Sequence, residues 1–202
     1  GNQIVVSSIG FQKGLRKFDN LADKTIAIDA LGSTAHYQLQ QIARIKHVDP
    51  ARITVKPLGT VDAIARAVGT DQADAWVLPS LYARELLMAN QARFLGWYSE
   101  LDEQQLGALF ASKKMLETRR AVVEKFVRAY RRGATDYAAA LLRKDRSSKR
   151  VSDFKSKEAA TTIARYVYPD RGTDAVVAVE LGAYYIDPEA RLDVTDVARQ
   201  IA

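Results

Sequence analysis

Two rhythms of apolar and polar positions run along the first hundred residues. Short apolar, β-branched runs at 3–9, 25–29, 53–56, 73–78 and 93–98 predict strands. Between them apolar residues recur every three or four positions. Leu39, Ile42 and Ala43 share a helix face from Ala35 onward, and Val61, Ile64, Ala65 and Val68 share another behind a Thr60 cap. A further helix runs from a Ser80 cap to Asn90. The alternation predicts βαβ units and a largely parallel, helix-covered sheet over 22–106.

Beyond that unit the rhythm changes. Residues 107–111 read as one more strand, and Leu116, Val123, Phe126, Val127, Tyr130, Tyr137 and Leu141 trace one face of a long helix. Further helices are expected at 157–166, before Pro169, and at 193–202, with Val194, Val197, Ala198 and Ile201 inward. The stretch 173–181 is open between strand and helix. This remainder has too few strands for a second sheet. The long helix face is therefore expected to stand exposed unless a further segment or a second copy covers it.

Composition changes this picture in three places. The 202 residues contain no cysteine, so disulfides, thiolate nucleophiles and Cys metal sites are excluded. No apolar run is long enough to cross a bilayer and no signal peptide is present; Gly1 stands inside strand-like sequence, which predicts an upstream part. The net charge of +6 is local, because residues 143–157 carry seven Lys/Arg against two Asp. That segment is Ser-rich with Phe154 as its one aromatic, and it reads as an exposed linker between helices. A nucleic-acid groove would spread its charge among interleaved aromatics.

Candidate chemistry centres on residues 23–39. The strand 25–29 runs into Gly32-Ser33-Thr34 and then a helix, which sets free N–H groups and two hydroxyls at a positive helix end. This is either an anion receptor or a plain helix cap. His36, in the first helical turn, either assists an anion or bonds along the helix flank. Asp74 and Trp76 form the second stretch. A Trp toward the C-terminal end of a parallel strand lies where open α/β sheets take ligands, and Asp74 can orient a backbone or ligand donor; the alternative is a Trp packed between sheet and helix. With two histidines, no metal-ligand spacing, no nucleophile elbow and no phosphate loop, no catalytic residue, metal ligand or cofactor is assigned.

Four segments carry a family resemblance: 21–28 with Gly32-Ser33-Thr34-Ala35-His36; Asp74-Ala75-Trp76 with Pro79; Phe110-Ala-Ser-Lys-Lys; and 183–194. Together the chain resembles substrate-binding proteins of bacterial ABC importers, in the nitrate/sulfonate/taurine and thiamine-precursor branch. The resemblance implies a two-lobed, type II periplasmic-binding-protein-like α/β fold with the ligand in the cleft. Residues 22–106 would be the inserted, complete lobe. Residues 1–21 and 107–202 would be hinge strands and the helical part of an incomplete lobe, which lacks its N-terminal portion. It further implies Gly32, Ser33, Thr34, His36, Asp74 and Trp76 on the ligand side, and a Leu at 78 where sulfonate binders of the branch often place an aromatic. The implied function is capture of a small anionic or polar solute for a membrane permease, periplasmic or lipid-anchored outside the cell, with no nucleic acid and no direct membrane insertion. The alternatives are an effector-binding module of a regulator and a thiamine-precursor-related protein on the same fold. Nitrate, alkanesulfonate, aromatic carboxylate and pyrimidine all remain open as solutes.

Overall fold

The computed structural model describes residues 2–201, with every side chain except that of Leu78. Its chain divides into two compact units, Gly1–Glu103 and Gln104–Ala202. The reading of Leu78 and the expected helix end at Ala202 lie outside the described residues.

The first unit is α/β. Strand β1 (Asn2–Ser7) leads into a short helix α1 (Ser8–Gln12), which Ser7 caps by accepting the Gly10 N–H. Then follow β2 (Thr25–Ile28), α2 (Thr34–Ile45), β3 (Thr54–Pro57), α3 (Val61–Gly69), β4 (Ala75–Pro79), α4 (Ser80–Met88) and β5 (Ala92–Trp97). The five strands form one sheet in the order β3-β2-β4-β1-β5. The expected parallel pairing holds for β2 with β3 and with β4, whereas β1 runs antiparallel between β4 and β5. Expected as a hinge segment, residues 2–7 thus also complete the middle of the sheet. Val5 and Val6 are fully buried there, as are Ile26, Ala27 and Ile28 of β2, because helices cover both faces. The edge strand β3 is correspondingly more exposed.

Local chemistry sets most boundaries in this unit. Ser33 and Thr60 cap α2 and α3 through their hydroxyls. The expected Ser80 cap is corrected: Pro79 holds the N-cap position and Ser80 is the first helical residue. With φ fixed by its ring, Pro79 both ends the strand and opens the helix.

The second unit is helical. Its helices are α5 (Lys113–Thr118), α6 (Arg120–Leu141), α7 (Phe154–Val167), α8 (Gly172–Gly182) and α9 (Val194–Ile201). The single long helix expected from 116 to 141 is broken at Arg119, whose φ −140° and ψ 36° are not helical. The open stretch at 173–181 is helix. The strand expected at 107–111 is absent, since none of these residues joins a ladder. A short apolar run such as this one makes a strand only beside a partner. The long face is covered over its C-terminal half, where Leu141 packs with Ala160 and Ala183. Over its N-terminal half Leu116 and Phe126 of the expected face stand exposed, while Val123 and Val127 are half-buried.

Candidate functional site

In parallel β2, β3 and β4 the C-terminal ends share one edge of the sheet, and each feeds a helix. The N-termini of α2, α3 and α4 therefore gather at this edge, each with donors that the helix itself cannot satisfy. Two of the connections repeat one design. Leu31-Gly32-Ser33 and Leu58-Gly59-Thr60 each place a glycine at positive φ (78° and 80°) before the capping hydroxyl. Only glycine takes that conformation without steric cost. The side of Gly32 where a Cβ would stand is open for 4 Å, so backbone approach to a solute is unobstructed.

Within the first loop the donors are already divided. Ser33 Oγ accepts the His36 N–H at 3.2 Å and donates to the Asp29 carboxylate. The Gly32 N–H donates to His36 Nδ1 at 3.0 Å. With Nδ1 accepting, a neutral ring carries its proton on Nε2, whose neighbour at 3.4 Å is the Gln40 amide. Ser33 caps α2 with this hydroxyl, and His36 bonds within the loop it follows. Thr34 is exposed at the first helical position, so its hydroxyl and the N–H groups of Thr34 and Ala35 are the donors the loop leaves for a ligand. Gly32, Ser33, Thr34 and His36 are thus brought together.

Asp74 lies at the opposite edge. Its carboxylate accepts the Thr25 N–H at 2.7 Å, its own N–H donates to the Thr25 carbonyl at 2.7 Å, and its carbonyl accepts the Ser7 N–H at 2.8 Å. It clips the starts of β2 and β4 to the end of β1, which is the backbone-orienting alternative. Trp76 is corrected in position: it is the second residue of β4, paired with Ala27 and Val5, and 2 % exposed. It packs inside the sheet layers, away from the strand end.

Three further groups lie at the Gly32 edge. The local pattern gives Thr60 only a capping role, although Leu58-Gly59-Thr60 repeats the Leu31-Gly32-Ser33 of the first loop. Asp29 ties the two loops, its carboxylate on Ser33 and its carbonyl accepting the Gly59 N–H at 2.9 Å. At the start of β1, which lies at the same edge because β1 is antiparallel, Asn2 donates to the buried Gln38 at 3.1 Å. The buried Gln3 Oε1 beside it has no hydrogen-bond partner. No group of His, Asp or Glu among the described residues is arranged to hold a metal ion.

A mixed five-stranded sheet with helix N-termini converging on one edge is an open α/β architecture, in which ligands meet the strand ends. The chain belongs to the NMT1/THI5-like family, whose profile matches residues 5–144. Among solved structures it is similar to the periplasmic aliphatic sulphonate binding protein SsuA from Escherichia coli, at 18 % identity and a TM-score of 0.65 over 98 % of this chain and 57 % of that one. It is also similar to the alkanesulfonate-binding protein SsuA from Xanthomonas axonopodis pv. citri bound to MOPS (21 %, TM-score 0.59, 98 % and 61 %). A third is the ligand binding component of an ABC-type import system from Staphylococcus aureus with zinc bound (12 %, TM-score 0.67, 99 % and 61 %). The chain spans about 60 % of the length of these structures. No curated protein matches.

Proposed function

We propose that the protein is the solute-binding receptor of an ABC-type importer, which captures a small anionic or polar organic solute and presents it to a membrane permease outside the cytoplasm. The observation that carries this reading is the convergence of the α2, α3 and α4 N-termini on one sheet edge behind twin Gly-hydroxyl loops. Family membership and the binding-protein fold support it. The division into an inserted lobe at 22–106 and a partner lobe belongs to the same reading.

Capture needs no chemical step. The N–H groups of Thr34 and Ala35 and the Thr34 hydroxyl hold the anionic group, with charge-assisted bonds worth about 1.5–3 kcal/mol each. Asp29 sets a carboxylate beside them. That charge weakens the pull on a bare anion such as nitrate and offers an acceptor to a solute with donors of its own. A sulfonate or carboxylate that also bears amino or hydroxyl groups fits this edge best.

The test is a thermal-shift and calorimetric screen of nitrate, alkanesulfonates, taurine, aromatic carboxylates and pyrimidines, alongside native mass spectrometry of unrefolded protein. A true ligand at one hundred times its Kd stabilises by about 2.7 kcal/mol. A retained small molecule, or one solute class that raises the melting temperature, is expected. No shift from any class and no retained molecule would overturn the reading.

A further inference from the structure

The basic segment expected to be a linker is built, not slack. Residues 143–151 close on themselves: Lys144 and Arg150 form a β-bridge, Val151 N–H donates to the Arg143 carbonyl at 3.0 Å, and Asp145 N–H donates to the Lys149 carbonyl at 2.8 Å. Asp145 Oδ1 accepts the Ser147 and Lys149 N–H groups at 2.8 and 3.0 Å. Two cations anchor the loop. Arg150 donates to the Leu141 carbonyl at the end of α6 and to the Ala183 carbonyl, while Arg143 pairs with Asp153 at 2.6 Å. Asp153 also caps α7, whose first residue is Phe154.

Both carboxylates of the segment are thereby engaged within it. Lys144, Arg146, Lys149, Lys155 and Lys157 are all exposed, and Phe154 among them is 79 % exposed. The pinned loop, with Lys144, Arg146 and Lys149, and the first turn of α7, with Phe154, Lys155 and Lys157, present these groups without the entropic cost of ordering a flexible segment. Three partners have the right sign. Single-stranded nucleic acid would want a series of stacking aromatics, and one phenylalanine does not make one. Protein interfaces are depleted in lysine, which supplies four of the five free cations. An anionic lipid surface suits both features, since lysines reach headgroups along apolar stems and an aromatic ring settles at the headgroup level.

We propose that residues 144–157 form an adsorption site for an anionic phospholipid surface, held by the five free cations and by Phe154 with no helix inserted. Adsorption of this kind keeps a soluble protein close to a bilayer. It does not depend on which solute the first unit binds.

The experiment is co-sedimentation of the whole protein with phosphatidylglycerol/phosphatidylcholine vesicles and with phosphatidylcholine alone, at low and high salt. Retention on the anionic vesicles only is expected, falling on the order of tenfold when salt shortens the screening length. Lys144→Glu/Lys149→Glu should cut partitioning about tenfold or more at unchanged melting. Phe154→Ser should cut it severalfold. Lys13→Glu, in the other unit, should leave it as it was. Equal retention on both vesicle types, parental retention by the double variant, or tighter binding to a single-stranded oligonucleotide than to anionic vesicles at equal salt would each overturn the proposal.

Discussion

The carbonyl of Asp29 accepts the N–H of Gly59 at 2.9 Å, across two neighbouring parallel strands. With the Asp29 carboxylate on Ser33, this one residue joins two Leu-Gly-hydroxyl loops into a single surface. Side by side they set two helix N-termini over one patch, where the positive ends of the two dipoles add.

The division of labour inside the first loop separates stability from binding. Ser33→Ala removes a cap whose hydroxyl is bonded in both directions, and should cost about 1 kcal/mol of stability. Thr34→Ala removes an exposed hydroxyl and should leave melting within about 0.5 kcal/mol of the parent. If the edge binds the solute, Thr34→Ala lowers affinity by roughly tenfold, the loss of one charge-assisted bond. Calorimetry and melting on the two single variants check this. Parental affinity in Thr34→Ala would remove the anion role from this loop.

Asp74 and Trp76 are expected to behave as structural residues. Asp74→Ala strips the acceptor from the Thr25 N–H and should destabilise by about 1–3 kcal/mol. Trp76→Ala leaves a cavity at a 2 % exposed site and should destabilise by about 3–5 kcal/mol, or prevent folding, whereas Trp76→Phe should fold. The parent Trp76→Phe comparison also assigns the emission, because Trp97 is then the remaining tryptophan. Trp76→Phe that folds and melts like the parent yet loses solute binding would show that the ring contacts the solute after all.

Gly10 is required by a close approach. A Cβ built on it would stand 2.7 Å from the Asp74 carbonyl oxygen, which is backbone and cannot swing aside. Gly10→Ala should therefore cost about 1–3 kcal/mol by forcing α1 off the start of β4. Urea unfolding followed by tryptophan emission reads it directly, as both tryptophans lie in the first unit. A Gly14→Ala control, at a site open for 4 Å but with φ 94°, reports the cost of backbone strain alone.

Acid should act on the helical unit. The Arg143 guanidinium holds Asp153 below its ordinary value of 3.8, Ser147 does the same for Asp145, and Arg191 for Asp187. A carboxylate lowered on folding stabilises the native state above its unfolded value, and that contribution is lost as pH falls through the folded one. Helicity by circular dichroism should be flat above about pH 5 and decline below 3.8. Asp153→Asn should start less stable at pH 7 and decline less on acidification. An unchanged acid profile in that variant would remove the Arg143 pair from the account.

How much of this was legible in the chain depended on the range of the cause. The five strands of the first unit, the helices α2, α3 and α4 and the Ser33 and Thr60 caps follow from periods and side-chain groups that act within a few residues. The Gly32 loop could be read for the same reason, as could the apolar face left bare on Leu116 and Phe126. Helix α1 (Ser8–Gln12) instead begins where the pattern continues the first strand. Ladder partners are chosen between residues far apart, and no local pattern encodes them. Tertiary structure alone set β1 antiparallel between β4 and β5, left 107–111 without a strand, and put Asp74 at the edge away from Gly32. It also brought Gly59 to Asp29, because parallel register fixes which loops share an edge, and a candidate site assembled from several loops exists only once that register is made.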